Sequence, residues 1–249
     1  MPKKIVVRKS VAAKAVVKKE GLPLIQKKFA NPKVAIVIDD FGYNINSLDE
    51  LFASKVRVTF SILPNLPFSR RIAELAKSKG YEVILHLPLE SNDKAAPTEV
   101  GTIKTDMNEK DVNLLLEKDI ATVPHLRGVS NHQGSKATCD KLLMTLILRD
   151  LKNRKLYFLD SLVTNRSVCR EVANSVGVPY AKRDMFLDNM NSQGYIEKQT
   201  LILRRLAFRK GKAIAICHDR KNTIAVLNKM MGELSADGIN FVYLSDMVK

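Results

Sequence analysis

Residues 34–43 read VAIVIDDFGY. Five apolar residues, mostly β-branched, make a run too short for a helix but right for a strand buried on both faces. The run ends in Asp39 and Asp40 side by side, followed by Phe41 and Gly42. Adjacent carboxylates repel each other, and burying either without compensation is costly. Water, a cationic partner or a metal must therefore stand against them.

Working outward, the same kind of run recurs. Short β-branched or aromatic stretches at 33–39, 57–63, 81–86, 127–131, 156–160, 178–183, 212–217 and 240–244 alternate with segments of helical periodicity. The latter lie near 45–54, 68–79, 108–119, 138–153, 167–176, 194–210 and 222–236. Asn108 and Asp111 open one helix, and Gly80, Gly177, Gly211 and Gly238 close four others. This alternation predicts an α/β fold, a parallel sheet with helices packed on it. Seven or eight repeats fit a closed (β/α) barrel better than an open doubly wound sheet. One domain is expected over 33–249.

The polar residues that end the apolar runs point to a site. The first run ends in Asp39-Asp40, the third in His86, the fourth in Asn131-His132, the fifth in Asp160-Ser161, the sixth in Arg183-Asp184 and the seventh in His218-Asp219. Carboxyl ends of parallel strands converge on one face, where α/β folds bind ligands. Three of the four histidines sit at such ends, while His125 matches no pattern and reads as a surface loop residue. Two carboxylates with imidazoles from the third and fourth strand ends suit zinc, iron, cobalt or manganese. An ion there would neutralise one carboxylate and leave the other free to take a proton from water. Asp160, Arg183 and Asp184 either line the pocket or brace the barrel end as an ion pair.

Composition narrows the rest. With 45% hydrophobic and 27% charged residues the chain resembles ordinary globular proteins, and no apolar run approaches the ~20 residues of a membrane span. Cys139, Cys169 and Cys217 are odd in number and lack close spacing, which argues against a disulfide framework or a zinc knuckle. No G-x-G-x-x-G or G-x-x-x-x-G-K-[ST] loop is present to cradle phosphates. Of the net charge of +15, residues 1–33 supply +9, from ten Lys/Arg against Glu20 alone. Residues 1–32 therefore read as a basic arm or linker able to touch anionic surfaces, and specific nucleic-acid binding is not expected of the domain. The arm holds no unbroken apolar core of a secretory signal, so a chain complete as written would be cytoplasmic.

VAIVIDDFGY (34–43), VTFSILPNLPFSRRIAELAKSKGYEVILHLPLE (58–90), GVSNHQGS (128–135), YFLDS (157–161), RDMFLDN (183–189) and AIAICHD (213–219) occur in an order and spacing that resembles the divergent branch of the polysaccharide deacetylases, the NodB-like carbohydrate esterases. The resemblance implies a distorted (β/α) barrel and a metal-dependent hydrolase removing N-acetyl groups from a sugar or cell-wall polymer outside the cytoplasm, in the periplasm or extracellular space. It implies a divalent metal, zinc first, and an N-acetylated glycan as partner. On it, Asp39 is the general base, Asp40, His86 and His132 are the metal ligands and His218 is the general acid. Glu90 occupies the second position of the family's H-x-x-x-H motif and Gln133 the place of a more usual methionine. Asn131, Asp160, Arg183, Asp184 and Glu90 complete the candidate pocket. The missing second histidine leaves an inactive member that binds glycan or a protein partner as the alternative.

Overall fold

The computed structural model of the protein describes residues 22–54 and 56–249. The strands are β1 (Lys33–Phe41), β2 (Thr59–Ile62), β3 (Glu82–Leu89), β4 (Gly128–Gln133), β5 (Tyr157–Asp160), β6 (Tyr180–Lys182), β7 (Met185–Phe186), β8 (Lys212–His218) and β9 (Asn240–Val242). The helices are α1 (Leu48–Ser54), α2 (Ser69–Ser78), α3 (Glu109–Thr122), α4 (Lys141–Asn153), α5 (Cys169–Val176), α6 (Gln193–Lys210) and α7 (Lys221–Ala236). Residues 1–21, most of the expected arm, lie outside the described residues.

All nine strands belong to one sheet, ordered β6-β5-β4-β3-β2-β1-β8-β7 with β9 on β1, and every pairing is parallel. The expected distorted (β/α) barrel is what forms. Its distortion has a local cause. The strand expected over 178–183 forms as β6 on β5, and a further short strand, β7 on β8, follows it at once. The chain changes partner between them, with Arg183 N–H donating to Asp160 O (3.0 Å) and Asp184 N–H to Ile214 O (2.8 Å). Arg183 and Asp184 therefore follow the carboxyl end of β6 and form the crossing to β7. β9 and β2 share one side of β1, β9 pairing with Lys33–Ala35 and β2 with residues from Val37 onward.

Alternation along the strands sorts the apolar residues into two cores. Ala35, Val37, Ile84, Leu159, Ile214 and Ile216 pack together inside the barrel. Val34, Ile36, Ile38, Val83, Phe158, Ala213 and Ala215 face the surrounding helices. The helices obey their local signals. Asn108 and Asp140 accept from the third residue of α3 and α4, and the left-handed Gly177 (φ 80°) and Gly211 (φ 82°) end α5 and α6. The end of the basic segment packs on the domain: Lys28 and Phe29 N–H donate to Phe208 O at 3.1 Å, and Arg204 donates to Pro23 O at 2.7 Å.

Candidate active site

Asp39 has the parity of Ala35 and Val37, His86 that of Ile84, and His218 that of Ile214 and Ile216. Each thus extends an inward-facing row to the carboxyl end of its strand. Asp40 does not follow from parity. Strict alternation would send it outward with Ile36 and Ile38. Instead its backbone is left-handed (φ 66°), and the register between β1 and β2 shifts between Ile38 and Phe41. This bulge turns Asp40 to the same mouth as Asp39, at a backbone cost of roughly 1–2 kcal/mol.

Four side chains converge there. His86 Nε2 lies 3.5 Å from both Asp39 Oδ2 and Asp40 Oδ1, and His132 Nδ1 lies 3.2 Å from Asp40 Oδ1 and from His86 Nε2. The ligand atoms of Asp40, His86 and His132 all fall within 4.8 Å of one another. Two nitrogens and a carboxylate oxygen match the donor set of a catalytic zinc or related ion. Asp39 Oδ1 and Asp40 Oδ1 are buried and have no hydrogen-bond partner. Buried carboxylate oxygens are normally satisfied, so two unsatisfied ones on residues that stand beside convergent imidazoles fit a site for a cation.

A buried relay orients His86. Its Nδ1 meets Ser130 Oγ at 2.8 Å, and Ser130 Oγ meets Ser61 Oγ at 2.9 Å, both serines fully buried. With Nε2 facing the carboxylates, the ring proton belongs on Nδ1, which donates to Ser130. Ser61 in turn lies close enough to Asp39 to favour its charged form. Both serines have inward parity in their strands, a signal in the sequence that went unread.

The paired carboxylates differ electrostatically. Burial, reinforced by the charge of Asp40, pushes Asp39 above the ordinary carboxylate range against the pull of His86 and Ser61. Burial also raises Asp40, but the imidazoles of His132 and His86 close beside it outweigh that and hold Asp40 far below that range. Neighbouring acids driven apart in this way are suited to separate roles.

Across the mouth, His218 pairs with Asp188, a fully buried residue that sequence reasoning passed over. Asp188 Oδ1 is 2.8 Å from His218 Nδ1, and its Oδ2 accepts from His218 N–H and Thr223 Oγ1, each at 2.8 Å. Burial lowers the His218 pKa, but Asp188 more than reverses this, so the imidazole is held above its ordinary value. Phe186 stacks on the ring at 5.7 Å, and Arg183 lies 3.7 Å above Phe186. Asp39 and His218 are register partners on adjacent strands, which puts the two halves of the site side by side.

The remaining candidates are structural in their contacts. Asn131 accepts from Ser161 N–H at 2.9 Å and donates to Gln133 O at 2.7 Å, tying β4 to the end of β5. Asp160 accepts from Leu162 N–H, Ser167 and Tyr180. Arg183 donates to Ser161 O and Leu162 O, bracing the barrel end without pairing to a carboxylate. Asp184 pairs with Lys210 at 3.0 Å, and Glu90 accepts from Thr105 and pairs with Lys136 at 2.8 Å. Neither belongs to the converging cluster, and His125 lies exposed in a turn.

With this geometry in place, known proteins supply the family. The model of the divergent polysaccharide deacetylases matches residues 36–248. The chain belongs to that family. It is 34% identical over 205 residues to the Escherichia coli (strain K12) protein YibQ, covering 82% of this chain and 64% of that protein, so it spans somewhat under two thirds of that relative. The divergent deacetylase fold recurs in a solved uncharacterized protein of Agrobacterium tumefaciens C58, with a TM-score of 0.83, 23% identity and coverage of 92% and 93% of the two chains. It recurs more loosely in the catalytic domain of a peptidoglycan N-acetylglucosamine deacetylase from Eubacterium rectale (TM-score 0.54, 17% identity, 86% and 89% coverage).

Proposed function

We propose that this divergent polysaccharide deacetylase is a metal-dependent hydrolase that removes N-acetyl groups from an amino sugar of a cell-wall polymer. One observation carries the reading. Asp40, His86 and His132 converge on a point faced by buried, unpartnered carboxylate oxygens, with the Asp188–His218 pair alongside. The Eubacterium rectale protein of similar fold is a peptidoglycan N-acetylglucosamine deacetylase, which supports the substrate class.

Asp40, His86 and His132 would hold the ion, with zinc the best match to two imidazoles and a carboxylate. Such an ion supplies Lewis-acid polarisation of a carbonyl oxygen and lowers the pKa of bound water towards about 7. Asp39 is placed to take the proton of the attacking water, its basicity raised by burial. His218, kept protonated by Asp188, donates to the departing amine nitrogen. Asp188 is a positioning residue, since it fixes the tautomer and direction of the ring. Ser130 and Ser61 fix His86 in the same way.

The test is acetate release from N-acetylated chito-oligosaccharides and peptidoglycan fragments by zinc-supplemented protein. Asp39→Asn is expected to retain metal and lose about 10²–10⁴ in kcat. Acetate release that survives chelation and Asp39→Asn would refute the mechanism. Full metal occupancy with no release from any substrate would assign the site a binding role instead.

A further inference from the structure

A roomy cavity lies away from the strand ends that carry the cluster. It holds about 940 Å³ between residues 25–28 and the outer face of α6. Its floor is apolar (Ile25, Met185, Ile202, Leu206) and its walls are cationic, with Lys28, Arg205 and Arg209. Among the described residues these three have no acidic partner, whereas the groove's remaining charges are matched: Lys27 with Asp237, and Asp184 with Lys210. Asp184 also borders a second cavity of about 460 Å³ that includes Arg170, Lys182 and Lys212. The segment that forms one wall exposes Leu24 completely and Phe29 by 42%. Residues 1–21, which lead into it, contain seven Lys/Arg and one Glu.

Bare cations beside exposed large apolar side chains are the signature of a protein that lies on a charged bilayer. Cations meet lipid phosphates, and apolar side chains enter the head-group boundary. A nucleic-acid surface would need the charge but has no use for a fully exposed leucine or an apolar floor. We propose that the groove between residues 24–29 and α6 docks the protein on a membrane containing anionic phospholipid, with Lys28, Arg205 and Arg209 on lipid phosphates and Leu24 and Phe29 in the interface. α6 runs from the mouth of the barrel back to the start of β8, so Arg205 and Arg209 in its last two turns sit at the end of the barrel opposite His218. Over the seven residues of β8 that separation is roughly 20 Å. Docking by this face turns the mouth away from the bilayer, toward a polymer lying beyond it.

Sedimentation of the full chain with vesicles tests this. Binding is expected to phosphatidylcholine vesicles containing one-third phosphatidylglycerol and not to pure phosphatidylcholine. Arg205→Gln with Arg209→Gln should weaken partitioning about 25-fold, and Leu24→Ser about tenfold, with thermal melting unchanged because all three side chains are exposed. Unchanged binding by these variants would overturn the proposal and leave the attraction to residues 1–21. Equal binding to neutral vesicles, displacement by millimolar inorganic phosphate, or preference for duplex DNA over vesicles at equal phosphate would overturn it as well.

Discussion

The two ends of the barrel treat buried carboxylates in opposite ways. At the amino end, Glu82 opens β3 and its Oε1 accepts from Thr59 Oγ1 (3.0 Å), the Tyr157 hydroxyl (2.9 Å) and Ser245 N–H (3.1 Å). Tyr157 reaches it because position 128 is glycine, where a Cβ would come within 2.3 Å of the tyrosine ring. At the carboxyl end, Asp39 and Asp40 each keep a buried oxygen without a partner. A carboxylate that closes a barrel is saturated by protein donors. A carboxylate reserved for a ligand is left incomplete, with imidazoles placed around it.

The comparison breaks most sharply at the imidazoles. His86→Ala should reduce bound metal to background, measured by elemental analysis, and cost several kcal/mol of transition-state stabilisation, more than ~10³-fold in acetate release. Some stability should be lost as well, because a buried ring leaves a cavity and Ser130 loses a partner. Glu82→Ala should keep the metal instead. Three donors, two of them buried, lose their acceptor, costing about 3 kcal/mol in denaturant unfolding, while metal content stays at wild-type level. If Glu82→Ala released the metal, the two ends would not be separable.

Smaller effects sharpen the contrast. Ser130→Ala removes the acceptor for His86 Nδ1 and should weaken metal affinity about tenfold by competition titration, with kcat of the saturated enzyme less affected. Asp119 lies between the two extremes: buried, with Oδ2 unpartnered, but with only Asn65 as donor to Oδ1 (2.7 Å) and no imidazole nearby to hold an ion. Burial raises its pKa to about 7 against the pull of Asn65. A carboxyl raised in the folded state favours folding while protonated, and that contribution is lost as pH climbs from about 4 through about 7. Asp119→Asn should therefore match wild type below pH 4 and melt higher at pH 8. The gain at pH 8 is on the order of 4 kcal/mol, the linkage of a carboxyl moved from 3.8 to about 7. Equal stability differences at both pH values would contradict the assignment.

Much of this was legible in the sequence, and for definite reasons. Strands and helices announced themselves because burial imposes its period on the residue pattern. VAIVID and AIAICH are apolar because both faces of each strand are covered. His86, His132 and His218 stood out because a polar residue ending an apolar run needs an explanation. Ser61 and Ser130 were equally marked by inward parity, but serine is too common in strands to draw notice without a partner. Asp188 carried no pattern at all. Its role exists only because Leu187 N–H bonds to Ile216 O at 2.9 Å and brings the next side chain alongside His218. β7 went unread because a two-residue strand leaves no periodicity, and nothing in the run showed that the chain changes partner after Lys182.

The sequence by itself determined that this chain builds a parallel α/β barrel, with its chemistry gathered at the carboxyl ends of the strands. Periodicity and local propensity are properties of neighbouring residues. What only the tertiary structure decided was direction. Alternation alone would have parted Asp39 from Asp40, and the left-handed turn at Asp40 (φ 66°) with its shifted register brought them to one mouth. Which carboxylate is drawn low and which is pushed high then depends on imidazoles that arrive from strands 46 and 92 residues further along. Those distances close only when the barrel does.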